Sequence, residues 1–458
     1  MRMWGAALLM PLAAALSAAQ APEPAATGAA RIAQAALRDP TSYALVESLT
    51  TEVGQRLSGT AAHARAVEWA KAKLGAMGFD DVHTESFPLT AWIRGAESAE
   101  VVAPAPQKLA LTALGGSVAT DADGIEAEIA LFRTYAELLA ASQGALAGKI
   151  AVVTQRMVRV QHGGGYGAAN PIRRAGPSEA AKRGAVAYLL RSLGTDDHRL
   201  PHTGALSYAE GAPRIPAAAL SNPDADQLER FAARGPVRVR LLLAPRTQEN
   251  AQSWNVVAEA KGRARPEEIV LIGAHLDSWD LGTGAIDDGA GVAIVATVGK
   301  LIASLPQRPQ RTVRIVLFGA EEMDRSGPAY GAAHEGEARR IVLASEADFG
   351  ARRVYAVLLP TAVAGSDFAK ALAATLAPLG AFVDPRAPLG GGDDIHQLQK
   401  AGVPVAYLGQ NGLDYFDIHH TADDTLDKID ARELAQATAV WAAFTYLAAE
   451  SDVDFRAK

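Results

Sequence analysis

The chain has 458 residues, of which 49% are apolar and 21% charged, so it is long enough for two or three domains around a large core. Its net charge of −7 and its lack of a basic run argue against nucleic acid as a partner. The absence of cysteine excludes disulfides and thiolate ligands, so any metal site must use His, Asp and Glu.

The first 21 residues predict a secretory signal peptide. Arg2 gives a positive start, residues 4–16 are apolar but too short to span a bilayer comfortably, and residues 17–19 are small, as cleavage requires. A buried N-terminal helix is the alternative. No other window reaches about 18 unbroken apolar residues, so we expect an exported protein, periplasmic or secreted, without a membrane anchor.

Residues 22–99 are predicted to form the first part of a catalytic domain. A linker of small residues at 21–30 precedes two periodic segments, 42–53 and 60–77, which predict helices. Residues 81–89 then alternate between apolar and polar side chains, which predicts a strand.

Residues 100–245 have a different texture, in which short β-like runs alternate with turns rich in glycine and proline. One clear helix is predicted at 177–183. The predicted strands are 125–132, 149–153, 186–190 and 237–243. This pattern indicates a separate α+β domain inserted between two halves of another domain.

From residue 246 to 458 the pattern becomes α/β. Strands are expected at 254–260, 269–274, 312–318, 341–344 and 403–408, and helices at 289–305, 367–379 and 431–449. Because apolar strands alternate with helices, the sequence predicts a mostly parallel sheet covered by helices on both faces.

Chemically versatile residues follow four of these strands. In open α/β sheets, ligands bind beyond the carboxyl ends of the strands. The residues found there are His275 and Asp277, Glu321 and Glu322, Glu346 and Asp348, and His419 and His420, and the pair Asp287-Asp288 opens a helix. Histidines and carboxylates delivered to one edge of a sheet predict a metal site.

The set fits two zinc ions per chain. Zinc binds imidazole nitrogen and carboxylate oxygen, and two zincs about 3.5–4 Å apart can share a carboxylate and a water. Asp287 is expected to bridge the two ions. His275 and Asp348 would complete one site, and Glu322 and His420 the other.

Two further carboxylates are predicted to be catalytic. Glu321 stands beside a ligand but points elsewhere, so we expect it to take the proton of the water between the metals and pass it to the leaving amine. Asp277 follows His275 by two residues and is expected to hold the other nitrogen of that ring.

These segments resemble the motifs of the co-catalytic zinc aminopeptidase and glutamate carboxypeptidase family. The likeness lies in His275-Leu276-Asp277-Ser278, Gly284-Ala285-Ile286-Asp287-Asp288-Gly289, Phe318-Gly319-Ala320-Glu321-Glu322, Asp348, and His420 with Asp424-Thr425. The resemblance implies the zinc exopeptidase fold and the roles assigned above. The family spacing from histidine to threonine fits His420 rather than His419, so His419 and Glu346 are expected to be neighbours of ligands.

A branch of this family that carries an inserted protease-associated domain is more similar still. The matching segments are 92–98, Arg173 with 179–185, Pro201-His202-Thr203-Gly204 and Ile215-Pro216-Ala217. The likeness runs over nearly all of the mature chain. It implies a homodimer that hydrolyses small peptides, mainly dipeptides with free termini.

The group that stabilises the oxyanion stays open between Tyr415 and Tyr407, since neither directly precedes His420. His396 and the pair Asp393-Asp394 follow a glycine-rich loop and are candidate substrate contacts.

Residues 163–165 are three glycines without the frame of a phosphate loop, so they are interpreted as a flexible loop. His162, His198 and His202 are expected to be loop or dimer contacts rather than ligands.

Other functions remain as alternatives. The first is a general aminopeptidase that acts on longer peptides. A non-catalytic binding protein on the same fold is disfavoured because all five ligands and the base are present. A single-zinc enzyme that cyclises N-terminal glutamine would lack the insert, and a serine hydrolase would need a Gly-X-Ser-X-Gly motif, which is absent.

Overall fold

The structure, a computed structural model, describes residues 24–456, so the predicted signal peptide at 1–21 lies outside the described residues. Within this range the chain forms twelve α-helices and sixteen strands. The helices are α1 Ala25–Ala36, α2 Thr41–Glu52, α3 Ala61–Gly75, α4 Tyr135–Ala140, α5 Gly164–Arg174, α6 Gly176–Lys182, α7 Asn222–Ala232, α8 Ala290–Ala303, α9 Ser326–Ala333, α10 Asp367–Leu376, α11 His396–Lys400 and α12 Ala431–Glu450.

The strands fall into three sheets. They are β1 Asp81–Ile93, β2 Glu97–Ala103, β3 Gln107–Leu109, β4 Leu111–Ala113, β5 Ile125–Phe132, β6 Ile150–Val153, β7 Ala187–Arg191, β8 Ala217–Leu220, β9 Arg238–Leu243, β10 Arg246–Ala260, β11 Arg265–His275, β12 Arg311–Phe318, β13 Ile341–Glu346, β14 Val354–Leu358, β15 Phe382–Asp384 and β16 Tyr407–Gln410.

The central sheet has the strand order β1-β10-β12-β11-β13. Strand β11 lies between β12 and β13 and is parallel to both, whereas β1 and β10 join the edge as antiparallel strands. The predicted α/β fold is confirmed, and its parallel pairings are those of the strands that carry the predicted site. The carboxyl ends of β11, β12 and β13 therefore meet at one edge.

Helices cover this sheet on both faces because its inner strands are apolar on both faces. In β11, Val270 and Ile272 face the layer that contains α8 and α12, whereas Ile269 and Leu271 face the layer that contains α9 and α11. All eight residues of β12 are buried. Strands buried on both sides carry a continuous apolar run instead of an alternation.

The second large sheet has eight strands in the order β3-β2-β9-β5-β6-β7-β8-β4. All of them lie between residues 97 and 243, which is between β1 and β10 of the central sheet. This sheet mixes parallel and antiparallel pairs and has a core of its own on one face. The third sheet, β15-β14-β16, flanks the C-terminal half.

The interpretation of residues 21–30 as a linker is wrong from Ala25 onward, where α1 begins. Its alanines favour a helix, and Ala29, Ile32 and Ala33 are buried in a stripe that packs against α12. At Gly28 a Cβ would lie 2.4 Å from the Tyr446 hydroxyl, so the two helices approach closely there.

The interpretation of residues 163–165 as a flexible loop is also wrong. Gly163 caps α5 with a φ of +74°, and Gly164 and Gly165 form the first turn of that helix. A Cβ at Gly163 would lie 2.6 Å from Phe349, and one at Gly165 would lie 1.9 Å from the Val158 carbonyl oxygen. The glycines therefore allow close packing of a helix start.

Between residues 24 and 456, none of the helices combines the length and the apolar character that a bilayer crossing requires.

Candidate metal centre

Five chain segments bring the predicted ligands to the carboxyl edge of the central sheet. His275 ends β11, Glu322 lies in the turn after β12, and Asp348 follows β13 by two residues. Asp287 lies in the short turn Ala285–Gly289 that leads into α8, with a non-helical φ of −131° and ψ of 88°. His420 lies in the loop after β16, with a φ of +61°.

The carboxylate of Asp287 stands between two histidines. Its Oδ1 lies 3.0 Å from Nε2 of His275, and its Oδ2 lies 3.1 Å from Nε2 of His420. Oδ1 of Asp348 lies 3.5 Å from Nε2 of His275, and Oε2 of Glu322 lies 3.2 Å from Nε2 of His420. The geometry thus has two groups of three side chains that share one carboxylate.

The hydrogen bonds of the predicted ligands leave nitrogen and oxygen atoms free to bind a pair of cations. Nδ1 of His275 faces the Asp277 carbonyl oxygen at 3.1 Å, and Nδ1 of His420 faces that of Thr203 at 3.2 Å. Each ring therefore donates through Nδ1 and leaves its Nε2 lone pair for a metal. Among the described residues, the buried oxygens Oδ2 of Asp287 and Oε1 of Glu322 have no hydrogen-bond partner.

His419, which precedes the predicted ligand His420, is an alternative to Glu322 as the third side chain of the second group. Nε2 of His419 lies 3.5 Å from Oδ2 of Asp287, and the two imidazoles stack with centroids 3.5 Å apart. Atoms of Asp287, His419 and His420 lie close enough together to hold one ion. We favour Glu322 as the third side chain, because a buried dication needs compensating negative charge and a neutral imidazole adds none.

The charges of the ligands are strongly coupled. Burial alone would raise the pKa of Asp287, but its close contacts with the imidazoles of His275 and His420 lower it well below its usual range. Burial would likewise lower the pKa of His275, but Asp277, Asp287 and Asp348 raise it. In the absence of cations the histidines and carboxylates thus neutralise one another.

Glu321 lies beside this centre, with a half-buried side chain in the cleft above it. Its backbone N–H donates to Oδ1 of Asp277 at 3.0 Å. Burial, together with the negative charges of Asp348 and Glu322, raises the pKa of Glu321 well above its usual range. A carboxylate that readily accepts a proton therefore stands next to the two groups of ligands.

Asp277 lies close to the nitrogen of His275 that it was predicted to hold. Nδ1 of His275 is 3.5 Å from the Asp277 carboxylate and 3.1 Å from its carbonyl oxygen. The same carboxylate holds the amide of Glu321, so Asp277 connects the first ligand to the predicted base.

The sequence of this chain is similar to those of known peptidases. The profile of peptidase family M28 matches residues 255–445, which contain every predicted ligand. Carboxypeptidase Q of Bos taurus is 36% identical over 415 residues, which cover 89% of this chain and 85% of the bovine one. The chain belongs to peptidase family M28.

Two solved structures extend the comparison. The crystal structure of a peptidase M28 precursor from Shewanella amazonensis SB2B has a TM-score of 0.91 at 46% identity, and the match covers 94% of this chain and 98% of that one. A zinc aminopeptidase from Bacillus subtilis has a TM-score of 0.64 at 19% identity, with coverage of 90% and 95%, and so shares the fold.

In this M28 peptidase, a carboxylate to which the sequence assigned no role holds Asp287 in place. Asp424 accepts hydrogen bonds from the backbone N–H groups of Ala285 at 2.8 Å, Ile286 at 2.7 Å and Asp287 at 3.3 Å. Burial, reinforced by the charge of Asp287, raises the pKa of Asp424 to about 7. The only signal in the sequence was its place in the His420 to Thr425 motif.

A fully buried arginine was missed altogether. Arg56 donates to the carbonyl oxygens of Leu276, Thr283 and Gly284 at 2.5, 2.7 and 2.9 Å. It thereby ties the loop after His275 to the turn before Asp287. The local sequence around Arg56 does not predict this role, because these three partners are more than 200 residues away in the chain.

The insert, which contains the eight-stranded sheet, also contacts the predicted metal centre directly. His202 lies 2.7 Å from the His419 carbonyl oxygen through Nδ1, and the Thr203 N–H donates to the His420 carbonyl oxygen at 3.0 Å. At Gly204 a Cβ would lie 2.1 Å from Nη1 of Arg173. The motif at 201–204 is therefore a support for His420, and His202 itself lies in a loop with a buried side chain.

A cleft of about 520 Å³ opens above the centre between the two parts of the chain. The central part contributes four of the five predicted ligands, all but His275, and the aromatic side chains of Phe349, Tyr415 and Phe416. The insert contributes α5 with Tyr166, Arg173 and Arg174. The volume lies within the roughly 300–1,000 Å³ typical of small-molecule sites.

Some of the other residues singled out in the sequence line this cleft, and others lie outside it. The side chains of Tyr415, Asp393 and His162 line the cleft, whereas Tyr407, His396 and His198 do not.

The acidic neighbours Asp394 and Glu346 are buried beside the centre. Asp394 accepts a hydrogen bond from Ser326 at 2.7 Å, and its backbone N–H donates to Oε2 of Glu346 at 3.0 Å. Both side chains therefore hold neighbouring chain segments together and do not reach the cleft.

Proposed function

We propose that the protein is an exported exopeptidase with two zinc ions per chain that hydrolyses small peptides, above all dipeptides with free termini. The observation that carries the proposal is the Asp287 carboxylate between His275 and His420, with Glu321 beside it in the cleft. His275, Asp287 and Asp348 would hold one ion, and Asp287, Glu322 and His420 the other.

The side chains around the cleft have distinct roles in this reaction. Bound zinc ions would polarise the scissile carbonyl and lower the pKa of water to about 7. Glu321 takes a proton from the attacking water and returns it to the leaving amine. Asp277 orients His275 and, through the Glu321 amide, the base itself.

Charges in the cleft support a substrate with free termini. Arg174 brings a guanidinium to one wall and Asp393 a carboxylate to another. These are the groups that recognise a free carboxylate and a free ammonium. The relative from Bos taurus is by its name a carboxypeptidase, which agrees with the first of these contacts.

The organisation of the chain is part of the proposal. We assign residues 1–21 to the signal peptide, 22–99 and 246–458 to the catalytic domain, and 100–245 to a protease-associated domain. A homodimer completes the proposal and is checked by light scattering.

The test combines metal content per chain, by elemental analysis, with hydrolysis of free dipeptides, blocked dipeptides and aminoacyl-nitroanilides. We expect two zincs and cleavage of free dipeptides alone. Efficient cleavage of nitroanilides would favour a general aminopeptidase instead. A protein without metal and without turnover would refute the proposal and favour a non-catalytic binding protein.

A further inference from the structure

Tyr166 brings a hydroxyl group from the insert to the centre. It lies on α5 and lines the same cleft as Glu321 and His420. Its ring stacks on Phe416 with centroids 4.8 Å apart and meets the His419 ring edge-on at 5.0 Å. Since His419 stacks directly on the predicted ligand His420, the Tyr166 ring is separated from that ligand only by the His419 imidazole.

The hydroxyl oxygen is fixed by a buried cation. Nη1 of Arg173 donates to it at 2.5 Å, and the guanidinium lies 5.2 Å from the centre of the ring. Arg173 is itself 3% exposed and anchored by a hydrogen bond from Nε to the Ala205 carbonyl oxygen at 3.1 Å. The absence of a Cβ at Gly204 leaves the space that the guanidinium fills.

This arrangement leaves the hydroxyl proton available. Arg173 has no acceptor atom, so the Tyr166 oxygen accepts and its O–H can donate elsewhere. Within residues 24–456 no side chain or carbonyl group takes that hydrogen bond. The cationic guanidinium that donates to this oxygen also strengthens the O–H as a donor.

The two tyrosines suggested by the sequence are less well placed. Tyr407 does not line the cleft. Tyr415 does, but it is 7% exposed and packs against Phe349 with centroids 4.9 Å apart, and none of the arginines between residues 24 and 456 donates to its hydroxyl.

We propose that Tyr166 donates a hydrogen bond to the oxyanion that develops on the scissile carbonyl of a bound peptide. The inference rests on the proposed peptidase reaction. The phenol keeps its proton throughout, and its hydrogen bond is strongest when the oxygen carries a full negative charge, so it lowers the barrier rather than tightening substrate binding. The active site is then assembled from both parts of the chain.

The test is Tyr166→Phe, which removes the hydroxyl and keeps the ring stack. We expect kcat for a free dipeptide to fall about 10²-fold, with little change in KM and in zinc content. By calorimetry, a phosphinic dipeptide analogue should bind more weakly by a similar factor, while a product amino acid should bind as before. Tyr407→Phe is the matched control and should keep wild-type kinetics.

The outcomes separate this inference from the proposed function. A wild-type protein that hydrolyses no peptide would refute the proposed function. A wild type that turns over together with a Tyr166→Phe variant of equal kcat would overturn the role of Tyr166 alone. Loss of kcat in Tyr415→Phe with full activity in Tyr166→Phe would assign the oxyanion contact to Tyr415 instead.

Discussion

At the residue scale, the centre depends on groups that bind no substrate. The position of Asp287 is set by three backbone amides that donate to Asp424, and Arg56 binds three carbonyl oxygens of the neighbouring loops. A buried donor or acceptor that loses its partner costs about 1–3 kcal/mol. These two side chains therefore hold the turn in the geometry that two cations need.

Replacement of Asp424 tests this support. Asp424→Ala leaves three amides without an acceptor, so the 285–287 turn should relax and zinc affinity should fall by about 10–100-fold. Competition with a chromogenic chelator measures the change. Asp423→Ala is the control, because Asp423 contacts Lys428 rather than the turn. Equal zinc affinity in the two variants would show that Asp424 does not position Asp287.

The sequence predicted the ligands and Asp277, but not the other side chains that support them, for a physical reason. Three of the predicted ligands lie at or just after the ends of β11, β12 and β13, and the edge where they meet follows from the strand pattern. Arg56, Thr203 and Tyr166 act through contacts between segments far apart in the chain, and no local periodicity encodes those contacts. His419 shows the same limit, because its distance to Asp287 depends on the path of one loop.

At the element scale, predictions were best where burial imposes a pattern. Strands β11 and β12 are fully buried over residues 269–275 and 311–318, and the predicted strands 269–274 and 312–318 lie within these buried runs. The first half of β10 was missed because residues 246–250 are exposed and polar, and their strand form comes from pairing with β1. Helix α1 was missed because an alanine-rich segment resembles a linker until its packing on α12 is known.

One polar cluster ties the end of α9 to β1. His334 lies 2.8 Å from Glu85 through Nε2 and 3.0 Å from Glu337 through Nδ1, and its ring stacks on Tyr330. Burial alone would lower the pKa of His334, but the hydrogen bonds with the two glutamates raise it. The charged imidazole is therefore favoured in the folded state.

This raised pKa predicts a pH dependence of stability. A group whose pKa is higher in the folded state stabilises fully below its unfolded value of 6.5 and loses that effect as pH rises through the folded value. Below pH 6.5 the free energy of unfolding in urea should therefore be larger for the wild type than for His334→Gln. The difference between the two proteins should shrink at higher pH. His198→Gln, with an exposed ring, is the control. A difference that grows with pH would contradict the assignment.

At the scale of the whole molecule, ion pairs join the insert to the central part around the cleft. Arg159 of the insert contacts Asp417 at 2.6 and 2.9 Å, and Arg94 of the central part donates to the hydroxyls of Thr112 and Thr203 in the insert at 2.5 and 3.1 Å. Arg174 pairs with Asp324, which follows Glu321 by three residues. The insert therefore forms a wall of the cleft and is held to the segments that carry the reactive groups.

Arg174 should give this wall a role in substrate choice. Arg174→Gln removes the cation expected to bind the free carboxylate, so kcat/KM for a free dipeptide should fall about 10-fold or more, since hydrogen bonds to charged groups contribute about 1.5–3 kcal/mol. The corresponding dipeptide amide should be cleaved as before. Asp324→Asn, which removes the partner of Arg174 and keeps the cation, is the control. Equal losses on both substrates would mean that Arg174 only holds the wall in place.

The central claim is that Glu321 moves the proton while five other side chains hold the metals. Its most direct test is kcat of Glu321→Gln on a free dipeptide, measured on protein whose zinc content equals that of the wild type. We predict a fold and metal content like those of the wild type and a loss in kcat of about 10²–10⁴-fold, because only the proton acceptor is removed. Hydrolysis at a near wild-type rate by this variant would contradict the account.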